Sequence, residues 1–109
     1  MPVLNAGIPE RARDAIREFP EDVRNRVGFA VFEIQIGRSV GMPLCRPMGV
    51  VALGVRELRV HEKRDAFRVF FVEVTHSGVL VFHALQKKTQ QTPLRELKLG
   101  RSRLTEILK

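Results

Sequence analysis

The sequence predicts an α+β fold: two N-terminal helices packed on an antiparallel β-meander sheet, with a further helix at the C-terminal end. Three observations predict it. Apolar residues recur at helical intervals over the first third of the chain. After residue 54 they alternate instead, and a proline-led amphipathic stretch closes the chain. With 109 residues, 44% hydrophobic and 28% charged, residues 1–109 suit one domain with one core.

The elements follow in order. Pro9 stands where a first helical residue belongs. Ala12, Ala15, Ile16 and Phe19 come after it at i, i+3, i+4 and i+7, the mark of one buried helical face. Pro20 ends that helix. Glu21 and Asp22 put acids in the first turn of the next, where they suit the helix dipole, and Val23, Val27, Ala30, Val31 and Ile34 form its buried stripe. Phe29, Phe32 and Ile36 make a second apolar strip, more than one core face needs, and are expected to meet a partner or a second copy. Residues 37–49, with three glycines and two prolines, read as an irregular connection. Val55–Glu62, Phe67–Val74 and Val79–Gln86 are valine- and phenylalanine-rich runs of strand length. Lys63-Arg64-Asp65-Ala66 and Thr75-His76-Ser77-Gly78 separate them, polar and short enough for hairpins. Thr92 caps the last helix, with Pro93 at its first position. Leu94, Leu97, Leu104 and Leu108 give that helix a core-facing row, and Gly100 marks a bend in it.

Alternation locates the chemistry. Leu58 and Val60 are the apolar set of the first meander strand, so Arg59 and His61 face the other way. Four-residue loops set His61 opposite Arg68 and Arg68 opposite Leu85, with Arg59 opposite Phe70 and Phe70 opposite His83. One face then carries Leu58, Val60, Val69, Phe71, Leu80, Phe82 and Ala84 as a core. The other carries Arg59, His61, Arg68, Phe70, His83, Leu85 and, where the strand continues, Lys87. Like charges on neighbouring strands repel, so a face with three cations and two imidazoles is expected to serve a phosphate. A solvated sheet face remains the alternative. His83, in V-L-V-F-H-A-L, suits a packed, hydrogen-bonded core histidine better than a catalyst.

The charge agrees. The chain carries +7, and residues 1–49 hold seven arginines against six acids, whereas residues 50–109 hold twelve cations against six acids. A basic second half points to a polyanionic partner, most economically nucleic acid. No run approaches the roughly 18 apolar residues of a membrane span, and no basic-then-apolar leader opens the chain, so a cytoplasmic protein is expected. The single Cys45 excludes an internal disulfide, and three scattered histidines leave no metal-ligand spacing. No metal and no cofactor is expected.

Three stretches carry a family resemblance: G-V-R-E-L-R-V (Gly54–Val60), F-R-V-F-F-V (Phe67–Val72) and V-F-H-A-L-Q-K-K-T-Q-Q-T-P (Val81–Pro93). In this order they resemble the signatures of the RelE/HigB toxins, in the wider RelE/ParE superfamily. The nearest branch is the phage-derived, HigB-like one of bacterial type II toxin–antitoxin systems. The resemblance spans about residues 9–104, and Q-K-K-T-Q-x-T-P is its most specific piece. It implies the RelE-like toxin fold and a ribosome-dependent mRNA endoribonuclease, or mRNA interferase, that blocks translation without a metal. It also implies a cognate antitoxin, in this branch a helix-turn-helix, HigA-like protein, for which Phe29, Phe32 and Ile36 are the candidate surface.

Carried over by motif, the catalytic candidates are Arg59 of E-L-R, Arg68 of F-R-V-F-F, and Lys87 and Lys88 of Q-K-K-T. His61, Phe70, His83, Thr89 and Gln90 are candidate RNA contacts. Arginine grips phosphate with a permanent charge, and a lysine crowded by cations has the lowered pKa that proton transfer needs. The chain has no tyrosine; Phe67 and Phe71 stand where this branch often carries one. Two alternatives remain open: a ParE-like inhibitor of DNA gyrase, which shares the scaffold, and a non-catalytic nucleic-acid-binding module.

Overall fold

The computed structural model describes residues 5–38, 41, 44–74, 78–87 and 93–108. Its elements run β1 (Asn5–Gly7), α1 (Glu10–Arg17), α2 (Glu21–Gln35), β2 (Cys45–Pro47), β3 (Arg56–Glu62), β4 (Asp65–Val74), β5 (Gly78–Lys87) and α3 (Leu94–Ile107). The strands form one sheet in the order β1-β5-β4-β3-β2. The expected meander is β3, β4 and β5, antiparallel throughout. Two three-residue strands extend it, β2 antiparallel to β3 and β1 parallel to β5. Among the described residues no helix is long and apolar enough to cross a membrane.

Each helix is introduced by a proline: Pro9, Pro20 and Pro93 are N-caps with extended ψ, so Pro9 and Pro93 stand one position earlier than expected. A helix leaves its first N–H groups without intrahelical partners, so proline sacrifices nothing there. Glu10, Glu21, Asp22 and Glu96 place acids in the three first turns. The α2 stripe buries as expected, with Val23, Val27, Ala30, Val31 and Ile34 inside; in the α1 stripe Ala12 and Phe19 are buried and Ala15 and Ile16 half-buried. They pack on the sheet face that carries Leu58, Val60, Phe67, Val69 and Phe71. Phe19 meets Phe67 edge-on with centroids 4.8 Å apart, the arrangement aromatic quadrupoles favour. Phe67 and Phe71 are therefore core residues, on the side away from the basic face.

Two register expectations are corrected. The β3–β4 loop is the two residues Lys63 and Arg64, not four; Glu62 pairs with Asp65, and Lys63 takes a positive φ of 56°. A tight turn of this kind matches the twist of the flanking strands. The shift is even, so facing is preserved, but Arg59 now opposes Arg68 and His61 opposes Ala66. The second correction is a bulge. Arg68 opposes Leu85 and Phe70 opposes His83 as expected, but Phe71 then opposes Val81, which leaves Phe82 as the extra residue. An inserted residue inverts alternation beyond it. Val79 and Val81 therefore join the α1/α2 core, and Leu80 and Phe82 turn to the opposite face.

That opposite face is covered, not open. Phe70, Phe82, Val51, Val55 and Leu104 form a second core beneath α3 and the segment 48–55. The leucine row of α3 is only partly inward: Leu104 is buried and Leu97 half-buried, whereas Leu94 and Leu108 are exposed. The helix continues unbroken through Gly100, which is buried; a Cβ there would lie 2.9 Å from Cδ2 of Phe70. Gly100 is thus a close-approach residue that lets α3 sit on an aromatic ring.

Candidate functional site

The basic face is built on β3 and β4. Glu57 and Arg59, two apart on β3, point to the same side, and Arg68 projects beside them from β4. Arg68 Nη1 donates to Glu57 Oε1 at 3.0 Å, and Arg59 Nε lies 3.4 Å from the same oxygen. The Arg68 and Glu57 side chains are each only 1% exposed, against 17% for Arg59. The shared carboxylate explains why two arginines face each other across paired strands without splaying. Burial, then the Arg68 charge, holds the Arg59 guanidinium below its ordinary pKa, with Glu57 opposing.

Arg59 opens with His61 onto a groove of about 720 Å³ between α2 and β3, walled by Arg26, Phe29, Ala30 and Leu44. Arg26 spans α2 and β3, donating through Nη2 to the His61 carbonyl at 3.0 Å and to Glu62 Oε2 at 2.8 Å. Phe29 is 62% exposed and Phe32 49%, while Ile36 is half-buried. The second apolar strip of α2 thus does stand outside the core, and Phe29 belongs to the groove.

Phe70 and His83 share the parity of Arg59 but are fully covered by α3, and in this conformation neither offers a surface to RNA. The reason is the second core. His83 is held from both sides by α3: its Nε2 lies 3.0 Å from Glu96 Oε1, and Arg103 Nη1 lies 2.7 Å from its Nδ1. A guanidinium can only donate, so Nδ1 accepts and Nε2–H donates to Glu96. Burial above all pushes the His83 pKa down; the Glu96 hydrogen bond opposes this, and the Arg103 charge adds to it. The ring also stacks obliquely on Phe70, centroids 5.4 Å apart. His83 is therefore the packed, hydrogen-bonded core histidine.

Lys87 ends β5 opposite Ala66, which opposes His61, so these three positions form a row across the sheet. The Lys87 side chain, together with Lys88, Thr89, Gln90 and Thr92, lies outside the described residues. Of the sequence candidates, the structure brings Arg59, His61 and Arg68 into one neighbourhood, with Arg68 beneath the surface. Cys45 is buried in β2, where burial pushes its thiol pKa up, an inert state.

Three charged residues with evident roles escaped the sequence. Glu57 was legible in principle, since it shares the parity of Arg59. Glu96, Gly100 and Arg103 stand at i, i+4 and i+7, a helical face, but one whose polar members hide its burial. Arg103 belongs to that face, not to the solvated side of α3.

Comparison with known proteins completes the description. Residues 14–105 match the family described as phage derived protein Gp49-like (DUF891). A solved structure of the E. coli toxin RelE, a mutant with two arginines replaced by alanine, in the free state, superposes with a TM-score of 0.56. The match covers 100% of both chains at 15% identity, which shows a shared fold. No curated protein matches the chain. With the family match running from the middle of α1 to the last turn of α3, the chain belongs to the phage-derived Gp49-like family and has the RelE toxin fold.

Proposed function

We propose that this chain is the toxin of a type II toxin–antitoxin pair and acts in the cytoplasm as a ribosome-dependent, metal-independent mRNA endoribonuclease. The observation that carries this reading is the family match across residues 14–105 on a toxin fold. The basic second half of the chain, the Q-K-K-T-Q-x-T-P stretch and the Arg59 groove support it.

In the reaction, the 2′-oxygen of one nucleotide attacks the adjacent phosphorus while its proton passes to a base. The P–O5′ bond breaks, and the 5′-oxygen leaves with a proton from an acid, giving a 2′,3′-cyclic phosphate and a 5′-hydroxyl. Arg59 is the phosphate-gripping cation, because it is the less buried member of the arginine pair. Arg68 backs it from below through Glu57. Lys87 and Lys88, two cations adjacent in sequence, are the proposed proton-transfer groups. His61, Thr89 and Gln90 are the proposed RNA contacts, and the ribosome supplies the substrate geometry. Phe70 and His83 hold α3 in place. A helix-turn-helix, HigA-like antitoxin takes the surface of Phe29, Phe32 and Ile36.

The test is controlled expression with cellular mRNA mapped by primer extension. Wild-type protein arrests growth with new mRNA ends, while Arg59→Ala and Lys88→Ala variants, folded by circular dichroism, each lose about 10²–10³ in cleavage and relieve the arrest. Full toxicity in both variants would remove this site assignment. Intact mRNA with failing DNA supercoiling would instead make the chain a gyrase inhibitor.

A further inference from the structure

We propose that Glu57 is the positioning residue of the basic face: its Oε1 holds Arg68 and Arg59 at once, and Arg59 exchanges that carboxylate for an RNA phosphate. The proposal rests on the ribonuclease reading and gives a task of its own to a buried acid that the reading uses only as a link between Arg68 and Arg59.

The two ion pairs of Glu57 are unequal. With Arg68 the contact is 3.0 Å and both side chains are 1% exposed. A buried charge deprived of its partner is strongly disfavoured, so this pair stays closed. With Arg59 the contact is 3.4 Å, its side chain is 17% exposed, and the residue lines the groove. The Arg59 side chain is the more open of the two arginines, so an incoming anion competes for it and not for Arg68. An RNA phosphate entering the groove therefore meets Arg59 first.

The backbone favours the same division of labour. Glu57 opposes Arg46 on β2 and Phe70 on β4, so a hydrogen-bonded strand on either side fixes its Cα. A group that orients another works best from a rigid element. Without the Glu57 carboxylate beside them, the facing charges of Arg59 and Arg68 would repel more strongly and turn Arg59 aside. Glu57 thus cocks Arg59 at the groove while RNA is absent and keeps Arg68 behind it as a fixed positive charge.

Glu57→Gln alone strips Arg68 of its counter-charge and is expected to fold poorly. The informative comparison is Arg68→Met against Glu57→Gln/Arg68→Met, two chains that differ only in whether residue 57 carries a carboxylate beside Arg59. The probe is a short fluorescent single-stranded RNA whose 2′-hydroxyls are replaced by 2′-methoxy groups, so that it is bound and not cut. Binding is read by anisotropy at low salt, cleavage of message in a translating extract at saturating enzyme, and folding by thermal melt.

The double variant is expected to bind the probe about fivefold more tightly than Arg68→Met, as one weak ion pair no longer has to be broken. Its saturated cleavage rate is expected to fall at least about tenfold below that of Arg68→Met, because Arg59 is no longer aimed. A purely structural role predicts no gain in affinity. Equal affinities for the two variants would overturn the exchange at Arg59. Tighter binding with undiminished cleavage would overturn the positioning role and make Glu57 a brake. Wild-type protein that binds the probe yet leaves every message intact overturns the ribonuclease reading itself, and the binding comparison then still decides whether Glu57 and RNA compete for Arg59.

Discussion

Replacing Gly100 with alanine sets two known effects against each other, and the structure decides which wins. In an open helix the change is favourable by about 1 kcal/mol, because glycine loses more backbone freedom on folding. At Gly100 the new Cβ would lie 2.9 Å from Cδ2 and 3.0 Å from Cε2 of Phe70, and 3.6 Å from Cδ2 of His83. Those are clashes with a ring that cannot turn aside: Phe70 is fully buried, against Phe82 at 6.2 Å and His83 at 5.4 Å between centroids. Over-packing of this kind costs about 1–3 kcal/mol, so the net expectation is a loss of about 1 kcal/mol, worth roughly 4–8 °C in Tm for a domain near this size. Gly28 on α2 is the internal control, with nothing within 4 Å of its hypothetical Cβ. Gly28→Ala should therefore stabilise, by up to about 1 kcal/mol. Urea unfolding of the three chains measures both signs, read as midpoints at unchanged m-value. If Gly100→Ala stabilises as much as Gly28→Ala, α3 does not rest on Phe70 and the account of the second core fails.

Acid should loosen the same region. The folded-state pKa of His83 is depressed, so below the ordinary histidine value near 6.5 the unfolded chain binds a proton that the folded chain refuses. Stability is therefore full above about pH 6.5 and declines as pH falls through it. Urea midpoints from about pH 7.5 to 5.5 should show the decline, and His83→Asn should flatten it. On the other face, Phe29→Ser/Phe32→Ser alters exposed side chains and should change stability by no more than about 0.5 kcal/mol. Calorimetric titration with the antitoxin should show at least about a tenfold loss of affinity, since buried aromatic anchors dominate such interfaces.

The helical half was legible because its signal is local: the α2 stripe from Val23 to Ile34 buried as its spacing demands. The facing of Arg59, His61, Arg68 and Phe70 was legible too, since an even shift in register leaves parity untouched. What was not legible depends on insertions and on distant chain. Lys63-Arg64 carries no Asn-Gly signature, so the tight turn gave no sign of itself. The bulge beyond Phe70 is one extra residue, invisible to a period of two, and it sent Leu80 and Phe82 to the other side. The covering of Phe70 and His83 was hidden most deeply, because the contact that permits it is an absent side chain at Gly100. For the same reason the basic face looked broader in sequence than the neighbourhood of Arg59 and His61 that the fold leaves open.

Arg101 donates from Nε to the Val51 carbonyl at 3.0 Å and from Nη2 to the Val50 carbonyl. One side chain thereby staples the C-terminal helix to the chain that leads into β3, which joins α3 and residues 48–55 into a single plate. Such a plate protects its amide hydrogens from exchange as one cooperative unit. Cutting the Arg101 staple should make helix and loop exchange faster together, while α2 on the far side keeps its own rate.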